Sequence, residues 1–160
     1  MSNSADNQAS SAADHALHST THCCFGCGPD NPNGLHLHFL LDREAHTASA
    51  HVHLTRLFEG PPGHIHGGII ATLMDEAMSK LNRLFDVIAM TRHMEVDYLR
   101  PAPLHQDLRL IGHHSHREGR KLYHRAELLS HDGVVLAQAK GLFVALDPAL
   151  IAAAKASGRF

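Results

Sequence analysis

The sequence predicts an α+β fold, a curved antiparallel sheet of five to six strands wrapped around one long central helix. Three observations lead there. The stretch from Gly63 to Leu81 repeats its apolar residues at helical spacing, two runs before it and four after it alternate with a period of two, and the breaks between runs are short. Short breaks suit antiparallel neighbours, because a parallel crossover takes about a dozen residues or more. A lone helix buries most apolar surface when the sheet bends around it.

Taken in order, residues 1–21 are rich in Ser, Ala, Asn and Asp with almost no large apolar side chains, which predicts a disordered segment. A turn-dense loop follows, Cys23-Cys24-Phe25-Gly26-Cys27-Gly28-Pro29-Asp30-Asn31-Pro32-Asn33-Gly34. Its Cys-x-x-Cys-Gly raises zinc and redox chemistry. A structural zinc site takes four ligands, and the nearby His36 and His38 are spaced too closely to be the usual second pair. A thioredoxin-like site sits at a helix N-terminus, which Pro29, Pro32 and Gly34 oppose. The loop therefore reads as small side chains buried in a turn, and neither a metal nor a cofactor is expected.

Residues 35–41 alternate Leu35, Leu37, Phe39 and Leu41 with mostly polar neighbours, and 47–54 put Ala48, Ala50, Val52 and Leu54 on one side. Both are predicted strands, joined as a hairpin through 42–46. Gly60-Pro61-Pro62-Gly63 cannot be helical, and His66-Gly67-Gly68 makes a tight start for the helix, which should end near Leu84 or Phe85. Four strands follow at 88–99, 107–116, 121–129 and 134–146. Arg100-Pro101-Ala102-Pro103, Glu118-Gly119 and His131-Asp132-Gly133 separate them, the last being a hairpin signal. The Ala-rich tail 148–160 predicts only a frayed helical turn, which leaves 22–147 as the folded domain.

The chain's 160 residues suffice for one domain. Fourteen Lys and Arg stand against sixteen Asp and Glu with no basic run, so neither nucleic acid nor a membrane surface is an expected partner. Seventeen histidines make the net charge climb on mild acidification, and most alternate with apolar residues as surface positions of strands. Cys23, Cys24 and Cys27 form no disulfide framework and fit a reducing cytoplasm. The lack of a long apolar span argues against secretion and membrane spanning.

Plotted as a helix, Ile69, Ile70, Leu73, Met74, Ala77, Met78 and Leu81 share one side. The other side carries Gly68, Ala71, Thr72, Asp75, Ser79 and Asn82, all small or short, while Glu76, Lys80 and Arg83 run along a flank where Glu76 and Lys80 can pair. A solvated face scatters long charged chains, so the small stripe predicts close packing by another subunit or a ligand. Asp75 is its only acid. At the helix start, the first-turn amides have no partner within the helix and attract negative charge.

His66-Gly67-Gly68 followed by Leu73-Met74-Asp75, and then Val96-Asp97-Tyr98-Leu99-Arg100-Pro101-Ala102, resemble the hotdog-fold acyl-CoA thioesterases. The likeness is to the phenylacetic-acid-pathway (PaaI-like) and 4-hydroxybenzoyl-CoA thioesterase-like group. The head, Cys24-Phe25-Gly26-Cys27-Gly28 with Asn31-Pro32 and Gly34-Leu35, resembles uncharacterised members, and the likeness spans about residues 23–147. It implies the hotdog fold and hydrolysis of an acyl-CoA or aryl-CoA thioester. It also implies that the Gly67 N–H polarises the carbonyl, that Asp75 is nucleophile or general base, and that Ser79 holds the attacking water or steadies the carboxylate. Where that group carries an Asn or Gln this sequence has Gly60, and His64 or His66 could supply a ring N–H instead. Gly68 shares the same turn. Phosphates of CoA need cations, for which Arg100, Arg117, Arg120 and Lys121 are candidates in or beside turns.

Gly67 and Asp75 stand eight positions apart, about 12 Å along a helix. One carbonyl cannot touch both, so the implied mechanism draws Asp75 from a second copy, in a homodimer or a dimer of dimers. Two other readings stay open on this fold. One is a non-catalytic protein holding an acyl-CoA or another apolar small molecule, which the missing Asn or Gln favours. The other is a dehydratase or hydratase, for which Phe58-Glu59-Gly60-Pro61 lacks the expected His.

Overall fold

The computed structural model describes residues 22–158, so the predicted disorder of 1–21 lies outside the described residues. Strands β1 (Leu40–Asp42) and β2 (Thr47–Val52) come first, then a 3₁₀ turn at Arg56–Phe58 and helix α1 (Gly67–Lys80), which runs into a second 3₁₀ turn over Leu81–Phe85. Strands β3 (Ala89–Tyr98), β4 (Leu108–Glu118), β5 (Lys121–Leu129) and β6 (Val135–Ala145) follow, and helix α2 (Pro148–Ala156) closes the order. The six strands make one antiparallel sheet in the order β1-β2-β4-β5-β6-β3.

Alternation in the strands decides which face closes on the helix. Val52, Leu108, Leu110, Leu122, Leu128 and Phe143 point inward and meet Ile70, Leu73, Met74, Ala77 and Met78 of α1, all of them buried. Two glycines set the closeness of that contact. A Cβ on Gly112 of β4 would stand 2.6 Å from the Ala77 carbonyl oxygen, and one on Gly141 of β6 would stand 2.9 Å from the Met78 sulfur. The helix backbone reaches β4 because Gly112 carries no side chain, and Gly141 leaves room for the Met78 side chain. This is the expected α+β architecture, a curved sheet around one long helix.

Two expectations are corrected and one pairing that the sequence left open is fixed. Of the predicted strand at 35–41 only its end pairs as β1. His36 has a left-handed backbone (φ 48°), and Leu35 and Leu37 give their N–H groups to the carbonyls of Phe25 and Gly26 at 2.8 and 2.9 Å. Their side chains are nonetheless buried, as the alternation requires. Strands β3 and β4, joined by a short break, are not neighbours, since β3 lies beside β6. Pro101 and Pro103 have no N–H to extend a ladder. The segment instead crosses to the loop before α1, where the Ala102 carbonyl accepts from Ile65 at 2.8 Å and Leu104 donates to Gly63 at 3.0 Å. The tail holds a full helix, α2, whose Asp147 side chain accepts from the Ala149 N–H at 2.8 Å with Pro148 in the first turn.

Candidate active site

The start of α1 is built by the segment before it. Bridges Glu59–Ile65 and His64–Pro103 hold this loop extended, and Gly60 passes so close to the helix cap that a Cβ there would stand 2.7 Å from the His66 Cα. No side chain fits at 60, which gives the missing Asn or Gln a steric cause. His66 is the N-cap, with extended backbone and Nδ1 accepting the Gly68 N–H at 2.9 Å. A ring nitrogen that accepts carries no proton, so the neutral ring has its N–H at Nε2. The N–H groups of Ile69 and Ile70 both reach the His66 carbonyl. That leaves the Gly67 N–H as the first-turn amide without a hydrogen-bond partner among the described residues. Tyr98, at the end of β3, packs its ring on Gly67 and donates its hydroxyl to the Gly67 carbonyl at 3.1 Å.

Asp75 stands two turns further along α1, half-buried on the small-residue side. Thr91, near the start of β3, donates to its Oδ1 at 2.7 Å. Burial raises the Asp75 carboxyl above the usual aspartate value, the neighbouring Glu76 adds to the rise, and the Thr91 hydrogen bond opposes it. Ser79 directs its hydroxyl to the Glu76 carbonyl at 3.0 Å.

The helix flank departs from the pattern of a solvated edge. Glu76 and Lys80 pair at 3.2 Å as their spacing predicts. The loop of residues 22–34 covers them, however, and the Lys80 ammonium donates to Cys27 Sγ at 2.8 Å. Burial pushes the Cys27 thiol up to about 11, with the Lys80 hydrogen bond opposing it. Asn82, placed by periodicity on the small-residue side, is buried and accepts from His124 Nε2 at 3.0 Å.

The structure thus gathers His66, Gly67 and Gly68 with Tyr98 at one end of α1, and Asp75 with Thr91 further along it. Arg100 follows Tyr98 and donates to the Val135 carbonyl at 2.9 Å. His64 directs Nδ1 at the Pro62 carbonyl, 2.9 Å away, instead of at the helix start. Arg117 and Arg120 flank the β4–β5 hairpin, where Arg117 donates to the Gly119 carbonyl at 2.8 Å and the Arg120 carbonyl accepts from Ala145. Ala145 pairs with Ala89, so that hairpin lies at the Thr91 end of β3, away from Gly67. Sequence reasoning gave no role to Tyr98, though it stands in the quoted Val96–Ala102 motif, and did not find Thr91, whose position depends on the β3 register alone.

The fold that carries this helix is that of the hotdog thioesterases. Residues 62–137, just under half of the chain, match the thioesterase superfamily model. Among curated proteins it is 36% identical over 91 residues to acyl-coenzyme A thioesterase THEM4 of Rattus norvegicus, a match covering 56% of this chain and 39% of that protein. The chain thus spans about two fifths of the length of the curated relatives it matches. A crystallised thioesterase superfamily protein superposes with a TM-score of 0.70 at 31% identity, over 79% of this chain and 63% of that one. The E. coli PaaI protein from the phenylacetic acid degradation operon superposes with a TM-score of 0.65 at 18% identity, over 71% of this chain and 81% of its own, and so shares the fold.

Proposed function

We propose that the chain hydrolyses an acyl-CoA or aryl-CoA thioester at a site shared by two copies, with Gly67 from one and Asp75 from the other. The observation that carries this is the free edge of the sheet. Strand β3 has β6 on one side and, among the described residues, no strand on the other. Ten residues long, it leaves Met90 and Tyr98 more than half exposed. A long unpaired edge of this kind is a template for another strand. Because Tyr98 touches Gly67 and Thr91 touches Asp75, antiparallel pairing of two β3 edges about their middle sets the Asp75 end of one copy beside the Gly67 end of the other. A homodimer is the smallest assembly that contains the site, and a dimer of dimers repeats it.

In the reaction the thioester oxygen accepts from the Gly67 N–H at the positive end of α1, held there by the His66 cap and Tyr98. A fixed donor of this kind stabilises the developing oxyanion by about 2.7–4 kcal/mol. Asp75 of the other copy attacks the carbonyl carbon or takes a proton from the attacking water. The carbon–sulfur bond breaks and the CoA thiol leaves, so that thioester and water give acid and thiol. The raised carboxyl makes Asp75 a stronger base than an exposed aspartate. A cleft of about 190 Å³ beside Ser79, Val87, Ile88 and Met90 offers room for an acyl group. Arg100 at the Gly67 end of β3, and Arg117 and Arg120 on the β4–β5 hairpin at the other end of the sheet, with β6 between them and β3, are the cations for CoA phosphates. No helix among the described residues is long and apolar enough to cross a membrane, and the three thiols are free, in keeping with a reducing cytoplasm.

The test is release of free thiol from a panel of acyl-CoAs mixed with purified protein. Release from at least one member, lost in Asp75→Asn, is the expected result. The close passage of Gly60 past His66 favours a second reading, binding without turnover, because no polar side chain can stand at position 60. Saturable binding with no thiol release from any member would select it.

A further inference from the structure

We infer that Cys24, Cys27 and Glu76 form a binding site for a zinc-class divalent cation. The Cys-x-x-Cys turn closes through the Gly28 N–H on the Cys24 carbonyl at 2.8 Å, and its third ligand comes from α1, 52 residues after Cys24. Gly26 makes that approach possible, since a Cβ there would stand 2.2 Å from Glu76 Cγ. The two sulfurs and a carboxylate oxygen lie within 4.8 Å of one another, and Cys24 Sγ is 3.5 Å from Glu76 Oε1. Bonds of about 2.3 Å to sulfur and 2.0–2.2 Å to oxygen in a tetrahedron separate ligand atoms by about 3.5–3.8 Å. Small side-chain adjustments therefore bring all three ligands onto one ion. Two thiols with one carboxylate suit zinc and not calcium or magnesium, which take oxygen ligands.

Charge points the same way. The Lys80 ammonium lies 3.2 Å from Glu76 Oε2 and 2.8 Å from Cys27 Sγ, with its side chain only 7% exposed. Glu76 Oε2 is buried and, among the described residues, has this ion pair and no hydrogen bond. Before the cation arrives, carboxylate and ammonium balance beside two neutral thiols. When Zn²⁺ binds, the two thiols release two protons, and the ion, two thiolates, carboxylate and ammonium again sum to zero. The buried cluster is neutral in both states, which avoids the cost of an uncompensated charge. Lys80 then acts as a partner to the ligands, donating to the Cys27 thiolate and to the second Glu76 oxygen. A solvent molecule completes the four positions. The ion staples the 22–34 loop to the turn of α1 that carries Asp75.

The test uses the full chain, reduced and freed of metal. Zinc chloride is added while thiols are titrated with a colorimetric disulfide reagent. All three cysteines react without zinc, and one equivalent slows two of them at least tenfold, leaving the exposed Cys23. Cobalt(II) in place of zinc gives a sulfur-to-metal charge-transfer band. Cys24→Ser and Cys27→Ser abolish both signals, Glu76→Gln weakens binding at least tenfold, and Cys23→Ser changes neither. Unchanged thiol reactivity and no cobalt–sulfur band in the wild-type chain would overturn the assignment and leave Lys80 as the only cation of the cluster. Equal loss in Cys23→Ser would overturn it as well. None of these readouts uses activity, so the outcome is separate from that of the thioesterase proposal.

Discussion

Acidification should cost this protein stability through one imidazole. His124 is 2% exposed, donates Nε2–H to Asn82 and faces the Nδ1 of His114 at 3.1 Å with its own Nδ1. Burial, with a further contribution from His114, pushes it from the ordinary 6.5 down to about 3. The unfolded chain therefore takes up this proton first. The contribution of His124 is complete above pH 6.5 and is lost as the pH falls toward 3. At pH 5 the unfolded imidazole is almost fully protonated and the folded one is not, a difference of about 2 kcal/mol from this residue. His124→Gln keeps a donor for Asn82 and cannot titrate, so comparison with the wild type isolates this residue. Urea unfolding at pH 8 and pH 5 should show the free-energy gap between wild type and variant shifting by about 2 kcal/mol against the wild type. A gap constant to within about 0.5 kcal/mol would show that His124 is not held neutral by its surroundings.

Three more outcomes follow from the same geometry. Asp75→Asn should lower kcat by about 10²–10⁴ while the melting temperature holds or rises, because burial disfavours the charge that the substitution removes. The acid limb of kcat should lie above the ordinary aspartate value. Thr91→Val, which removes the hydrogen bond that lowers the Asp75 carboxyl, should move that limb to still higher pH. Gly112→Ala should destabilise by about 1–3 kcal/mol in chemical unfolding, since the added methyl meets the helix backbone.

What the sequence disclosed and what it concealed divide along a physical line. The helix start at His66-Gly67-Gly68, the apolar side of α1 and the long strands after it were legible because each depends on local chain geometry and period. Leu35 and Leu37 show the limit. Their alternation correctly placed them in the core, yet the strand was not there, because the backbone bonds of those residues go to the Cys loop instead of a ladder. Lys80 and Asn82 are polar at helix positions that periodicity sets off the apolar side, and both are buried by partners distant in sequence, the 22–34 loop and His124. For the same reason Glu76 could not be connected to Cys24 and Cys27, nor Thr91 to Asp75. The β3–β4 crossing was hidden too, because a short break permits adjacency without requiring it.

The shared site itself is most directly tested by complementation. Gly67→Pro deletes the single amide at issue, and proline suits a first helical position preceded by an extended residue such as His66. A Cβ at 67 meets the Tyr98 ring at an ordinary 3.6 Å, so the fold should persist. Alone, this variant should lose about 10²–10³ in kcat, and Asp75→Asn at least as much. Unfolded together in equal amounts and refolded, the two should form mixed dimers in which one of the two sites has both an intact Gly67 and an intact Asp75, and thiol release should return to about one quarter of the wild-type rate for random pairing. A mixture that stays as inactive as its parents, with mixed dimers demonstrably formed, would contradict a site built from two copies.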